Sequence, residues 1–159
     1  MRMVSNIWIN ETMNYFTRFI GVVSIDRLEP PHVFPSYTMV NFSKTGEAGS
    51  HYVSIIFNSP ELCIYFDPLN LLFLPDAIFQ YMRTHSKMIY RVNNKVQSDL
   101  SIFCGFYCLI PIFLHMNNVP ILKGLSFFSK NLIKNDEICI ILLKKLIQMY
   151  FDWFMILYS

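Results

Sequence analysis

Between residues 36 and 66 the chain alternates short apolar stretches with polar punctuation. SYTMVNF (36–42), HYVSIIF (51–57) and LCIYF (62–66) are rich in β-branched and aromatic residues, and Gly, Asn, Ser or Pro bound each of them. That pattern predicts three strands. Residues 75–84 suit a helix, MIYRV (88–92) predicts another strand, and from Ser101 onward the pattern is mostly helical. Upstream, ETMNYFTRFI (11–20) predicts a short helix, and VVSIDRLEPPHVFP (22–35) reads as a connection because two proline clusters interrupt it. Strands first and helices after predict an α+β domain over residues 1–159, with no internal repeat or composition break to divide it.

Composition narrows the functional classes. With 53% hydrophobic and 16% aromatic residues against 15% charged, the chain is too apolar for a disordered segment. A formal charge of +2 and the absence of a basic run argue against nucleic acid as a partner. The first residues, MRMVSNIWINETMNYF, lack an apolar h-region and a small-residue cleavage site, so the expected setting is intracellular and Cys63, Cys104, Cys108 and Cys139 are expected as thiols. In the C-terminal ICIILLKKLIQMYFDWFMILYS, Lys144, Lys145 and Asp152 cut the apolar runs below the roughly 18 residues of a membrane span. No span is expected; a last helix packed on the core is the plain reading, with an interfacial or partner-binding helix as alternatives. Cys104 and Cys108 stand one helical turn apart, but no Cys-x-x-Cys or His-x-x-x-His accompanies them, so no metal and no cofactor are expected.

The chemistry-bearing residues lie at strand ends and at one helix start. If Asn58, Ser59 and Pro60 form a hairpin turn centred on Ser59, His51 and Asp67 are equidistant from it and directly opposed across the ladder. Opposed residues have Cβ atoms roughly 4.5–5.5 Å apart, close enough for a carboxylate to hold one imidazole nitrogen and leave the other as a base. A one-residue slip would send the two to opposite faces. The bland alternative is two polar residues that merely end strands. Cys104 opens a predicted helix, where the helix dipole favours thiolate, and Ser101 or Asp99 could cap that helix. Gly105 leaves the backbone beside the sulfur uncrowded, and Gln97 offers a side-chain amide as an oxyanion donor. A buried apolar cysteine is the alternative for Cys104 taken alone. Pro111, inside the helix after Cys104, predicts a kinked or short helix.

GSHY (49–52), YFDPLN (65–70) and QSDLSIFCG (97–105) resemble the signature of the adenovirus-type cysteine proteases (adenain), within the group that includes the SUMO-deconjugating Ulp proteases. The family pattern is Gly-x-His-Trp, an acidic residue followed by Pro, then Gln, six residues and Cys-Gly, and the resemblance runs from about Tyr15 to His115. It implies a papain-like α+β fold, a central mixed sheet flanked by helices, with a triad in the order His, Asp, Cys. Cys104 matches the nucleophile, His51 the base and later acid, Asp67 the orienting acid and Gln97 the oxyanion donor. Tyr52 stands where Trp is usual, as a wall of the substrate cleft, and Asp67 where adenoviral enzymes have Glu. The implied activity is endoproteolysis of viral or transposon structural precursors at small Gly-containing sites, as in adenoviruses and Maverick/Polinton-type elements. The implied location is the virion or the host-cell assembly site. An Ulp-like isopeptidase and a catalytically silent scaffold are the alternatives. No cysteine lies between Cys63 and Cys104, so an activating peptide would bind without a disulfide link.

Overall fold

The computed structural model describes residues 6–158, with side chains from Ile9 to Asp152. Five strands form one mixed sheet in chain order: β1 (Phe19–Ser24), β2 (Ser36–Asn41), β3 (Tyr52–Phe57), β4 (Leu62–Phe66) and β5 (Met88–Val92). The outer pairs β1–β2 and β4–β5 are parallel, and the inner pairs β2–β3 and β3–β4 are antiparallel. Every residue of β2 and β3 is buried, as strands covered on both faces must be. Helix α1 (Asn6–Met13), helix α3 (Cys104–Met116) and the long helix α5 (Asn135–Tyr158) share a core with Tyr37, Met39 and Ile56. The alternate strand positions Val40, Val53, Ile55 and Phe57 pack on the opposite face against Ile78, Tyr81 and Met82 of α2 (Asp76–His85). A short helix α4 (Ile121–Leu125) and a 3-10 turn at Leu132–Lys134 join α3 to α5.

Strands β2 to β5 and helix α2 fall where the apolar pattern places them. The N-terminal elements do not. The helix is Asn6–Met13 rather than 11–20, and Phe19–Ser24, read partly as helix and partly as connection, is a strand. Its FIGVVS stretch is β-branched, and Asn10 completes its outer edge: the Asn10 Oδ1 accepts from Val22 N at 2.8 Å while its amide donates to Val22 O at 3.4 Å. Pro111 does not shorten α3, which runs for 13 residues through it. Nine of those residues are buried, and packing on all sides outweighs the hydrogen bond that Tyr107 O forfeits. The last helix lies on the core: Cys139, Leu143 and Leu146, at helical spacing, are buried against α3. Among the described residues no helix is long and apolar enough to cross a membrane.

Candidate active site

His51, Asp67, Gln97 and Cys104 converge at the end of the sheet where β3 begins, β4 ends and α3 starts. The route to that convergence differs from the expected one. The β3–β4 ladder pairs Ser54 with Phe66 and Phe57 with Cys63, so the turn is Ser59–Leu62 and the register is two residues away from that of a turn centred on Ser59. Ser59 explains the shift. Its Oγ accepts from Glu61 N and Leu62 N, its carbonyl accepts from Leu62 N at 3.2 Å, and Pro60 supplies the fixed φ of the second turn position. His51 and Asp67 are therefore diagonal rather than directly opposed. A slip of two preserves the face, and the pair still meets, with His51 Nε2 2.7 Å from Asp67 Oδ1.

Asp67 is almost fully buried and every polar contact it makes is to a donor. Oδ1 also accepts from Leu69 N at 2.9 Å, and Oδ2 accepts from Leu71 N at 3.0 Å. Pro68 causes this convergence: it sets the turn closed by Asn70 N to Asp67 O at 2.9 Å, and Asn70 takes the left-handed φ of 50° that Asn tolerates. Arg91 of β5 holds the Leu71 carbonyl and lies over the Tyr65 ring, which steadies the far side of the same turn. The Pro68 carbonyl in turn accepts from Val96 N and Gln97 N, both at 3.0 Å. One turn thus positions both the acid and the segment that carries Gln97.

The loop before His51 is built by Asn41, a residue that reads in the sequence only as a strand end. Its Oδ1 accepts from Ser43 N at 3.0 Å and Ser50 N at 3.3 Å, and its amide bonds the Tyr52 hydroxyl. Ser43 Oγ donates to Ala48 O at 2.7 Å, and Phe42 packs edge-on to the His51 ring. Gly49 has no space for a side chain: a Cβ would lie 2.9 Å from Asn41 Nδ2 and 3.4 Å from the Tyr52 hydroxyl. With Asn41 already bonded to two backbone amides, the backbone before His51 must yield instead. Gly49→Ala is accordingly expected to lower peptide hydrolysis by on the order of 10- to 100-fold through displacement of His51, with little change in melting temperature. Steady-state kinetics beside a thermal melt check this.

Cys104 is the first residue of α3, and its sulfur lies near enough to the His51 ring to act on its protonation. Because Nε2 is committed to Asp67, Nδ1 is the nitrogen left for the sulfur. Burial alone would pull the imidazole pKa down; the Asp67 carboxylate first, and then the Cys104 sulfur, outweigh it and push the value up to about 9. Neither Ser101 nor Asp99 caps α3. Its N-cap is Phe103, without a side-chain cap bond, and Ser101 Oγ instead accepts from Phe103 N one turn earlier. The helix is anchored from below by Cys108, whose thiol donates to Tyr52 O at 3.1 Å.

A cavity of about 260 Å³ opens onto Cys104, lined also by Tyr52, Leu69, Leu71, Gln97 and Gly105. Gln97 is buried in the irregular segment between β5 and α3; its amide donates to Ser101 O at 2.9 Å, while Oε1 has no partner. The other three thiols are fully buried, and burial pushes Cys63 up to about 12 and Cys108 and Cys139 well up. Cys104 alone is half-buried and faces a cavity.

No protein-family model matches this chain, and no curated protein does. Solved structures do. A crystal structure of the ASFV pS273R protease superposes with a TM-score of 0.56 at 16% identity, over 80% of this chain and 62% of that one. A selenomethionine structure of the same protease gives 0.52 and 15%, over 80% and 63%. The chain shares the fold of that protease, a mixed sheet flanked by helices. The chain spans less than two thirds of the length of the protease it matches. At 15–16% identity the likeness concerns the fold; the roles of the side chains are argued from the contacts above.

Proposed function

We propose that this chain is a cysteine endopeptidase that processes structural precursor proteins of a virus or a related transposon at small Gly-containing sites. The observation that carries the reading is a single imidazole held at 2.7 Å through Nε2 by a buried carboxylate, lining the same cavity as the one half-buried thiol, Cys104. In this reaction the Cys104 thiolate forms a bond to the scissile carbonyl carbon, and the carbonyl π electrons move onto oxygen, to which the second N–H of Gln97 donates a hydrogen bond. Collapse breaks the C–N bond, and the His51 imidazolium gives its proton to the departing amine. His51 then acts as base for the water that cleaves the thioester. At about 260 Å³ the cavity is at the small end for a binding site, which supports a substrate with little side chain around the scissile bond. The three remaining thiols are buried, which supports activation, where a peptide activator is used, without a mixed disulfide. The setting of such an enzyme is the virion or the host-cell assembly site.

Alkylation tests the assignment of nucleophile and base. Because burial shields Cys63, Cys108 and Cys139, a ranking of rates at one pH would report access alone. The informative quantity is the pH profile. Alkylation of Cys104 by limiting iodoacetamide is expected to follow a pH profile set by the imidazole beside it, and His51→Ala is expected to change that profile. A Cys104 profile that His51→Ala leaves unchanged overturns the proposal. Cleavage of Gly-containing peptides by the wild type, and not only of ubiquitin-like fusions, separates the endopeptidase from an isopeptidase.

A further inference from the structure

The first turn of α5 reaches the loop that carries Gln97. Asn135, fully buried, donates from its amide to Val96 O at 2.8 Å and to Ser129 O at 3.0 Å, and its Oδ1 accepts from Ser129 N at 2.8 Å. Asp136 Oδ1 accepts from two hydroxyls, Ser101 Oγ at 2.7 Å and Tyr107 Oη at 2.9 Å. Ser101 belongs to the Gln97 loop, and Tyr107 lies one turn into the helix that Cys104 opens. One carboxylate oxygen therefore ties the segment of the oxyanion donor to the helix of the nucleophile.

We infer that Asp136 is a positioning residue that sets the orientation of the Gln97 amide by fixing Ser101, an inference that rests on the endopeptidase reading above. The Gln97 amide can rotate by half a turn about its last bond with little change in shape, and only one of the two orientations presents N–H to a substrate oxygen. The Ser101 carbonyl chooses between them. It accepts and cannot donate, so the Gln97 nitrogen must lie against it, and one of the two N–H bonds is satisfied there at 2.9 Å. The second N–H remains for the substrate, and Oε1 is left buried without a partner. An unsatisfied buried oxygen makes this orientation costly, so it persists only while the Ser101 carbonyl is held in place. Asp136 holds it, through the hydroxyl of the same residue, and Tyr107 keeps Asp136 aligned with α3. Asn135 fixes the other end of the segment at Val96, next to Gln97.

The test joins a signature of the Gln97 amide to a double-mutant cycle on the full chain. In ¹⁵N-labelled protein the Gln97 side-chain resonances are identified by their loss in Gln97→Ala. Asp136→Ala is expected to shift them and accelerate their exchange with solvent; unchanged resonances overturn the inference whether or not the protein hydrolyses peptide. On a Gly-containing peptide Asp136→Ala is expected to lower kcat about tenfold with KM nearly constant, and to cause no further loss in a Gln97→Ala background. Multiplicative losses in the double variant would show that Asp136 acts elsewhere and overturn the inference. Asp136→Asn, which keeps an acceptor oxygen, is expected to restore most of the activity. If Asp136→Ala does not fold, Ser101→Ala, which deletes only the hydroxyl link, must give the same amide signature and the same absence of additivity. A wild type that cleaves no peptide refutes the endopeptidase reading, while the amide resonances still decide the positioning role.

Discussion

Replacement of Cys104 by alanine is expected to lower peptide hydrolysis by on the order of 10⁴-fold or more and to leave the melting temperature close to that of the wild type. The two halves of this expectation come from different facts. Activity falls because no other thiol can take over: Cys63, Cys108 and Cys139 are buried, and the sulfur of Cys108 is already used as a donor to Tyr52 O. Stability is kept because Cys104 is only half-buried and opens onto a cavity, so alanine leaves no closed void behind it. A core cysteine would show the opposite pairing, a lower melting temperature with activity scaled to the folded fraction. His51→Ala should match Cys104→Ala in activity. It should not add to it in the double variant, because base and nucleophile act as one unit. Additive losses, or full hydrolysis by Cys104→Ala, would place the chemistry elsewhere.

The sequence was most informative where one residue type has one common use. The strands β2 to β5 were legible because their β-branched runs end at Asn, Ser, Gly and Pro. The meeting of His51 and Asp67 was legible only as a parity. Ser59 Oγ moved the turn by one position and the register by two, and a side-chain period of two hid the difference. Strand β1 was missed because its edge partner is a side chain, Asn10, rather than another strand. The Asn41, Asn135 and Asp136 contacts were not legible at all. Each is a side chain bonded to a backbone or hydroxyl group brought near by the fold, and local pattern carries no record of such partners. The one available hint was the polar run Asn135, Asp136 and Glu137 opening a largely apolar helix, which the ordinary preference for acids in a first turn explains equally well.

Asp67→Asn is expected to reduce kcat by about 10²–10⁴-fold, to move the basic limit of activity to lower pH, and to lower the stability of the protein. Three donors meet the Asp67 carboxylate: His51 Nε2, Leu69 N and Leu71 N. An asparagine offers one oxygen. With that oxygen toward His51 and Leu69, its NH₂ faces the Leu71 N–H; turned around, its NH₂ faces both Leu69 N and Nε2, and the imidazole proton moves to Nδ1, where no base remains for Cys104. Either orientation buries a donor against a donor, at about 1–3 kcal/mol. The variant also removes the charge that outweighs burial at His51, so the imidazole pKa falls from about 9. The imidazolium must protonate the leaving amine, so wild-type activity should decline as pH rises through about 9, and the variant should decline earlier. Stability follows the same proton. The folded value of about 9 lies above the ordinary imidazole value of 6.5, so the native state binds the extra proton between them. The stabilisation is complete below about 6.5 and is lost as pH rises through about 9. Thermal melts from pH 6 to 10 should therefore slope downward in the wild type and run flatter in Asp67→Asn. Parallel slopes would mean that His51 does not carry the proton.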